Sequence, residues 1–203
     1  MARFPAGVLL VMLTAVLWAQ PPQSSPRPAL KAKTSIPDPG AISNGMYHNT
    51  AFSFTYKLPF GWVDRTADMQ DDSAGASSSR LLLAIFERPP EATGDTINSA
   101  VVIAAEPIST GIKTPAEYFE SLSALTTAKG FQIEGEPGEI SIGTTKLVRG
   151  DFSKVRGTLT MRQTSLVRVE KGYAISITLI GGSEDEVNEL MEKLSFAPRK
   201  PAR

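Results

Sequence analysis

The sequence predicts one α+β domain, built on a mainly antiparallel sheet that is covered on both faces. Two kinds of pattern point to this class. Several segments alternate apolar and polar residues with a period of two, and tight turns join consecutive segments of this kind. Two other segments repeat apolar residues at helical spacing and begin with helix-capping signals.

The first strands are predicted from apolar periodicity and from continuous apolar runs. Phe52, Phe54 and Tyr56 alternate with polar residues, which predicts a half-buried strand. Residues 80–86 and 100–105 are continuous apolar runs of strand length, which is typical of strands buried on both faces. The polar residues between the first strand and these runs predict a loop with room for a short helical turn.

The second half of the domain is predicted to contain a meander, an arrangement of consecutive antiparallel strands. Short strands at residues 131–134 and 139–142 precede it. Turns at Arg156-Gly157 and Lys171-Gly172 then connect three longer strands. These longer strands are predicted at residues 145–155, 159–169 and 173–179.

Two amphipathic helices are predicted from their caps. Thr114 and Glu117 form a capping box around a proline at the first helical position, which predicts a helix over residues 115–129. Ser183 begins a similar signal before an apolar stripe, which predicts a second helix over residues 184–194.

The N-terminus resembles a secretory signal. Arg3 precedes an apolar run at residues 8–18, and the small residue Ala19 follows it. The run is shorter than the roughly 20 apolar residues that span a bilayer, so we expect cleavage near Ala19. An uncleaved N-terminal membrane anchor is the alternative. The protein is therefore expected to be exported, to the periplasm or the extracellular space.

The chain is expected to contain four parts. Their order is a signal peptide, a proline-rich disordered linker, one α+β domain and a short flexible tail. The predicted bounds are residues 1–19, 20–45, 46–198 and 199–203. The linker assignment follows from its proline content, because proline lacks a backbone donor and stiffens the chain.

The composition argues against several classes of chemistry and of partner. The chain contains no cysteine, which excludes disulfides, thiol catalysis and a lipid-modified cysteine at the signal boundary. It has 21 basic and 21 acidic residues, so its charge gives no argument for a nucleic acid as partner. No nucleotide-binding glycine loop is present, and no cofactor is expected.

Residues 52–62, with the sequence FSFTYKLPFGW, resemble the start of proteins in the PsbP/DcrB-like superfamily. The order of the closing elements, antiparallel strands followed by a short helix and a final apolar Phe196, is similar too. This resemblance covers about residues 46–198. It implies an α/β/α sandwich with one helix on each face of a central antiparallel sheet. It also implies a noncatalytic accessory or assembly role, with no catalytic motif to transfer.

The residues that could perform catalysis or bind metals do not form a recognisable set. His48 is the only histidine, and no Gly-x-Ser-x-Gly motif accompanies it. Asp68, Asp71 and Asp72 do not match the spacing of a calcium-binding loop. We therefore predict no catalytic residue and no metal ligand. A carboxylate pair assembled only in space remains the open alternative, because its separation is not visible along the chain.

An interaction patch is the remaining hypothesis for a site. Phe60 and Trp62 could form an aromatic recognition patch, although core packing is the favoured interpretation for them. Arg162 and Arg168 could form a basic stripe across the meander, and pairing with cross-strand acids explains them equally well.

The sequence alone thus predicts an exported, noncatalytic binding or accessory protein of the cell envelope. Its expected partner is an envelope protein or membrane complex, and direct membrane attachment is expected only if the signal is retained. An exported hydrolase with an unrecognised carboxylate site is the alternative function.

Overall fold

The computed structural model describes residues 37–73, 79–89, 91–108, 111–112 and 114–197. Its strands are β1 (Ala41–Ser43), β2 (Met46–Asn49), β3 (Phe54–Lys57), β4 (Val63–Asp64), β5 (Arg80–Phe86), β6 (Ala100–Pro107), β7 (Gln132–Ile142), β8 (Thr145–Arg156), β9 (Leu159–Glu170), β10 (Tyr173–Gly181) and β11 (Leu194–Phe196). Its helices are α1 (Thr66–Ser73), α2 (Pro115–Ala128) and α3 (Glu184–Glu192).

The strands form two antiparallel sheets. The large sheet has seven strands in the order β4-β5-β6-β10-β9-β8-β7, and the small sheet has four in the order β1-β2-β3-β11. The predicted meander is present as β8, β9 and β10, with continuous registers between them. The mixed α+β class and its antiparallel pairing are therefore as the sequence predicts.

Three local predictions need correction. Residues 41–43, which were assigned to the disordered linker, pair with β2 as strand β1. The two short strands expected around Pro137 are one strand, β7, which continues through a register shift between Glu134 and Gly138. The polar loop after β4 contains the eight-residue helix α1. The predicted signal, residues 20–36 of the linker and the tail lie outside the described residues.

One face of the large sheet is closed by a continuous apolar core. The small sheet provides Tyr47, Phe54 and Tyr56 to the same buried cluster as Ile103 and Ile177 of the large sheet. Helix α3 adds buried apolar side chains of its own to this cluster. The Tyr56 hydroxyl donates a hydrogen bond to the Leu190 carbonyl of α3 at 3.0 Å, which connects the small sheet to the helix.

The opposite face packs against α2. Phe119 of α2 stacks on Phe152 of β8 and contacts Val167 of β9, whereas Leu166 belongs to the core on the closed face. Since successive strand residues point to opposite faces, α2 and α3 lie on different sides of the sheet. One helix per face is nevertheless too simple a description, because the small sheet also covers the α3 face and α1 lies beside β5.

Helix α2 crosses the large sheet diagonally. Near its start, the Tyr118 hydroxyl donates to Glu106 at the end of β6, at 2.8 Å. Beyond its last turn, the Lys129 carbonyl accepts from Lys154 near the end of β8, at 2.6 Å. In the antiparallel register these two contacts lie at opposite ends of the sheet. The corner formed by the start of β6 and the end of β10 is therefore left uncovered.

Candidate functional site

A crevice of about 900 Å³ occupies this uncovered corner. Phe86 pairs with Ala100, and Ala100 pairs with Ile180, so the three residues form one row across β5, β6 and β10. Directly paired residues project from the same face of a sheet, and this row therefore forms an apolar floor. Leu159 and Met161 of β9 also line the crevice, although the residue that pairs with Ile180 on this strand is Gln163. We call this feature the corner crevice.

The loop between β5 and β6 forms one wall of the corner crevice and positions Arg88. The Asn98 side chain accepts from the Arg88 backbone nitrogen and donates to its carbonyl, both at 3.0 Å. The Arg88 Nη2 donates to the Thr96 carbonyl at 3.0 Å. A Cβ at Gly94 would lie 2.2 Å from Nη1, so any other residue there would require the end of the Arg88 side chain to shift.

The rim of the corner crevice is positively charged. Arg88 and Arg156 are the only charged residues among the described residues that line it. Arg156 is exposed, at the turn between β8 and β9. The Nε of Arg88 is buried and has no hydrogen-bond partner within the described structure. Its nearest acid is Glu87, whose Oε2 lies 3.9 Å away, which is too long for a hydrogen bond.

The two predicted aromatic patch residues differ in their environment. Phe60 is 105% exposed, so the favoured interpretation that it packs in the core is wrong. Trp62 is half-buried and contacts the core of the closed face. An interaction patch that includes the exposed Phe60 and the outer part of Trp62 therefore stays a prediction.

The predicted basic stripe is also absent from the described surface. Arg168 is 6% exposed, pairs with Glu170 and lies over the Phe196 ring at 4.8 Å. Arg162 pairs with Glu134 across the sheet. The assignment of Arg168 to an exposed stripe was wrong because alternation along a strand shows only which face of the sheet a residue is on. The small sheet covers that face, and this explains the burial of Arg168.

Arg162 borders a polar groove of about 160 Å³ beside α3. In this groove, the Nε of Arg149 donates to both Asp151 oxygens at 3.0 and 3.1 Å. The Nη2 of Arg149 donates to Asn188 of α3 at 3.2 Å, and Thr164 also donates to Asp151. These contacts engage Asp151 and Glu134 with arginines, whereas the third acid that lines the groove, the exposed Glu184 of α3, has no ion pair among the described residues.

The remaining candidates from the sequence lie apart from one another. His48 is exposed on β2, opposite Thr55. Asp68 pairs with Arg65 in the first turn of α1. The described residues contain no cluster of three or more histidine, aspartate or glutamate side chains suited to a metal ion. Among the described helices, none has the length and apolar character needed to cross a membrane.

Comparison with known proteins finds similarity in fold only. No family model matches the chain, and no curated protein matches it. The chain is similar to the solution structure of cyanobacterial PsbP from Synechocystis, with 12% identity, a TM-score of 0.49, and coverage of 78% of this chain and 96% of that one. A PsbP protein, of the family that residues 52–62 resemble, is thus among the solved structures similar to this chain.

Two further solved structures are similar. LpqN of Mycobacterium tuberculosis, described as involved in cell envelope biogenesis, has 18% identity and a TM-score of 0.43, with 79% of this chain and 87% of that one covered. The Ran-binding protein Mog1p of Saccharomyces cerevisiae has 12% identity and a TM-score of 0.41, with 77% and 86% covered.

The sequence did not indicate the corner crevice. Its floor residues belong to apolar strand runs and look like ordinary core positions. Arg88 lies in a turn-rich connection, and Arg156 was recognised only as part of a hairpin tip. The one usable signal for the crevice is that Arg88 and Arg156 each lie at the end of a strand. Arginines are common at such positions on protein surfaces, so this signal is weak.

Proposed function

We propose that the protein is a noncatalytic binding protein that acts in the cell envelope and holds an apolar molecule in the corner crevice. One observation supports this most directly. The end of the large sheet presents half-buried Phe86, Met161 and Ile180 to an open space of about 900 Å³. Concave sites with an apolar lining and few polar groups are the usual form of small-molecule sites.

Two of the three acids that line the polar groove are engaged by arginines, which bears on the alternative of hydrolysis. General acid–base catalysis by carboxylates needs one group that is free to exchange a proton with the substrate. Asp151 accepts hydrogen bonds on both of its oxygens, and Glu134 is paired with Arg162. The arrangement supports a structural role for both acids and leaves Glu184 as the one acid of the groove that has no ion pair among the described residues.

Export is part of this proposal and rests on the N-terminal sequence. The positive residue, the apolar run and Ala19 together predict a cleaved signal, which places the domain outside the cytoplasm. Intact mass measurement of the protein recovered after export tests this point. We expect the mass of the chain without residues 1–19. The full mass would instead indicate a membrane-anchored domain.

Binding in the corner crevice is tested with an uncharged apolar fluorophore, N-phenyl-1-naphthylamine. We expect a saturable rise in its fluorescence with one probe per protein. Thr96→Trp, at an exposed position on the wall, should abolish the rise by filling the opening. Thr144→Trp, at an exposed turn at the other end of the sheet, is the matched control and should bind normally.

Two results contradict the proposal. The first is the absence of saturable fluorescence in the unmodified protein. The second is equal binding by the Thr96→Trp and Thr144→Trp variants, which would place the probe elsewhere. Unchanged thermal melting of both variants establishes that a loss of binding does not come from unfolding.

A further inference from the structure

We propose that the corner crevice is specific for a single-chain anionic amphiphile, a molecule with one apolar tail and one carboxylate or phosphate head. The head would lie between Arg88 and Arg156, and the tail would lie along Phe86, Ala100 and Ile180. This inference rests on the proposed function, because it assigns the chemical class of the molecule that the crevice holds.

The charge of the crevice supports an anionic ligand. Among the described residues, the charged ones that line the crevice are two arginines, and none of the lining residues is acidic. Arg156 has no ion-pair partner among the described residues. Arg88 has one acid, Glu87, at 3.9 Å and 45% exposed. The crevice thus has an excess of positive charge that an anion would balance.

Arg88 is positioned before any ligand binds. Its backbone is fixed by Asn98, and its Nη2 by the Thr96 carbonyl. The buried Nε donor is left without a hydrogen bond. Buried donors are normally satisfied, so the Nε of Arg88 is an exception within the described structure. A fixed guanidinium also loses little conformational freedom when it binds an anion.

The floor of the crevice suits a single tail. The row of Phe86, Ala100 and Ile180 crosses three adjacent strands, so its length is about 10 Å at the usual strand spacing. Every residue in the row is apolar, and the wall adds the buried Ile97. The crevice therefore places charge at its rim and apolar surface at its base, which matches a molecule with the same division.

The inference is tested by calorimetric titration of the purified protein with probes that share a ten-carbon tail. Decanoate and decyl phosphate carry an anionic head, decanol is neutral, and decyltrimethylammonium is cationic. Inorganic phosphate has the head without the tail. We expect both anionic probes to bind at least about tenfold more tightly than decanol, since hydrogen bonds to charged groups are the stronger kind. We expect no binding of decyltrimethylammonium or of phosphate alone.

Substitutions of single arginines test where the anionic head group of the ligand binds. Arg88→Gln should weaken decanoate binding about tenfold and leave decanol binding unchanged. Arg156→Gln, at an exposed and unpaired position, should weaken it about threefold without affecting folding. Arg162→Gln removes the same charge from the same region but on the opposite face, and it should have no effect.

Each contrary result has a distinct meaning. Equal affinity for decanoate and decanol would overturn the anionic specificity. The same result follows if the Arg162→Gln variant loses as much decanoate affinity as the Arg88→Gln variant. In both cases, binding of N-phenyl-1-naphthylamine would still support the crevice as a site. If none of the decyl probes bind although the fluorophore does, the single-chain tail is wrong. If neither the fluorophore nor any decyl probe binds, the proposed function itself fails.

Discussion

The two faces of the large sheet are built differently. On the α3 face, the small sheet and the helix bury twenty residues in one cluster, which includes four aromatic side chains from residues 47–56. On the α2 face, the buried cluster contains only Phe119, Phe152 and Val167. The closed face therefore provides most of the apolar burial that stabilises folding.

The difference indicates how this fold separates its packed core from its open surface. A face that is fully packed has no room for a ligand, because protein interiors are filled almost as densely as organic crystals. A helix that crosses the other face diagonally covers part of it and leaves a corner open. The corner crevice can therefore differ in size and charge without altering the main core.

The largest expected effect is a cavity in the closed face. Ile177 is completely buried in the centre of β10, so Ile177→Ala removes apolar contacts and leaves a void. We expect a loss of about 2–5 kcal/mol in the free energy of unfolding, measured by urea denaturation. Val155→Ala, at a 72% exposed position, is the control and should change stability by less than about 0.5 kcal/mol. Similar losses in the two variants would contradict the assignment of the core.

The next effect concerns the docking of α2. A Cβ at Gly150 would lie 2.1 Å from the Phe119 ring, so Gly150→Ala should force the helix away from the sheet. We expect a loss of about 1–3 kcal/mol in the free energy of unfolding. Gly138→Ala is the matched control, since a Cβ there meets no atom within 4 Å. Protease cleavage within α2 should increase in the first variant only. Equal cleavage in both would show that Phe119 does not fix the helix.

Alkaline pH tests both faces through their buried tyrosines. Burial raises the pKa of Tyr47 from 10.0 to about 12, and it also raises the pKa of Tyr118 on α2. The folded protein then keeps a proton that the unfolded chain releases, so stability is constant below about pH 10 and falls as the pH rises towards 12. From the Tyr47 shift, we expect a loss of about 1 kcal/mol between pH 9 and 11 in urea denaturation.

Variants with phenylalanine in place of tyrosine show which tyrosine causes the loss of stability at alkaline pH. Tyr47→Phe should reduce the slope of stability against pH by removing one of two buried tyrosine hydroxyls of the closed face, the other being that of Tyr56, whose pKa burial also raises. Tyr118→Phe should reduce it as well, and it should also release α2 from Glu106. Identical slopes in the unmodified protein and both variants would show that these hydroxyls do not control the pH dependence.

The smallest expected effect is at Phe60, the fully exposed aromatic residue of the first turn. Phe60→Ser should change the free energy of unfolding by less than about 0.5 kcal/mol, because no buried surface is lost. Trp62→Ser is the comparison, since Trp62 contacts the core and its loss should destabilise the protein clearly. Thermal melting of the two variants measures the contrast, and equal melting temperatures would contradict it.

Much of the secondary structure could be predicted from local patterns. The capping box at Thr114 and Glu117 is formed as expected, with both reciprocal hydrogen bonds. The alternating apolar residues of β3 and β10 are buried as their period predicts. Prediction was less accurate where a local signal is weak. Helix α1 consists mostly of polar residues, and β7 continues past a proline through an irregular register.

The sequence by itself determined which segments are strands and helices and which of their sides are apolar, because these properties depend on neighbours three or four positions away at most. Only the tertiary structure decided that Arg168 is covered by the small sheet, that α2 lies diagonally, and that the half-buried Phe86 and Ile180 line an open crevice. Such features depend on contacts between segments far apart in the chain, and alternation along one strand contains no information about what covers it.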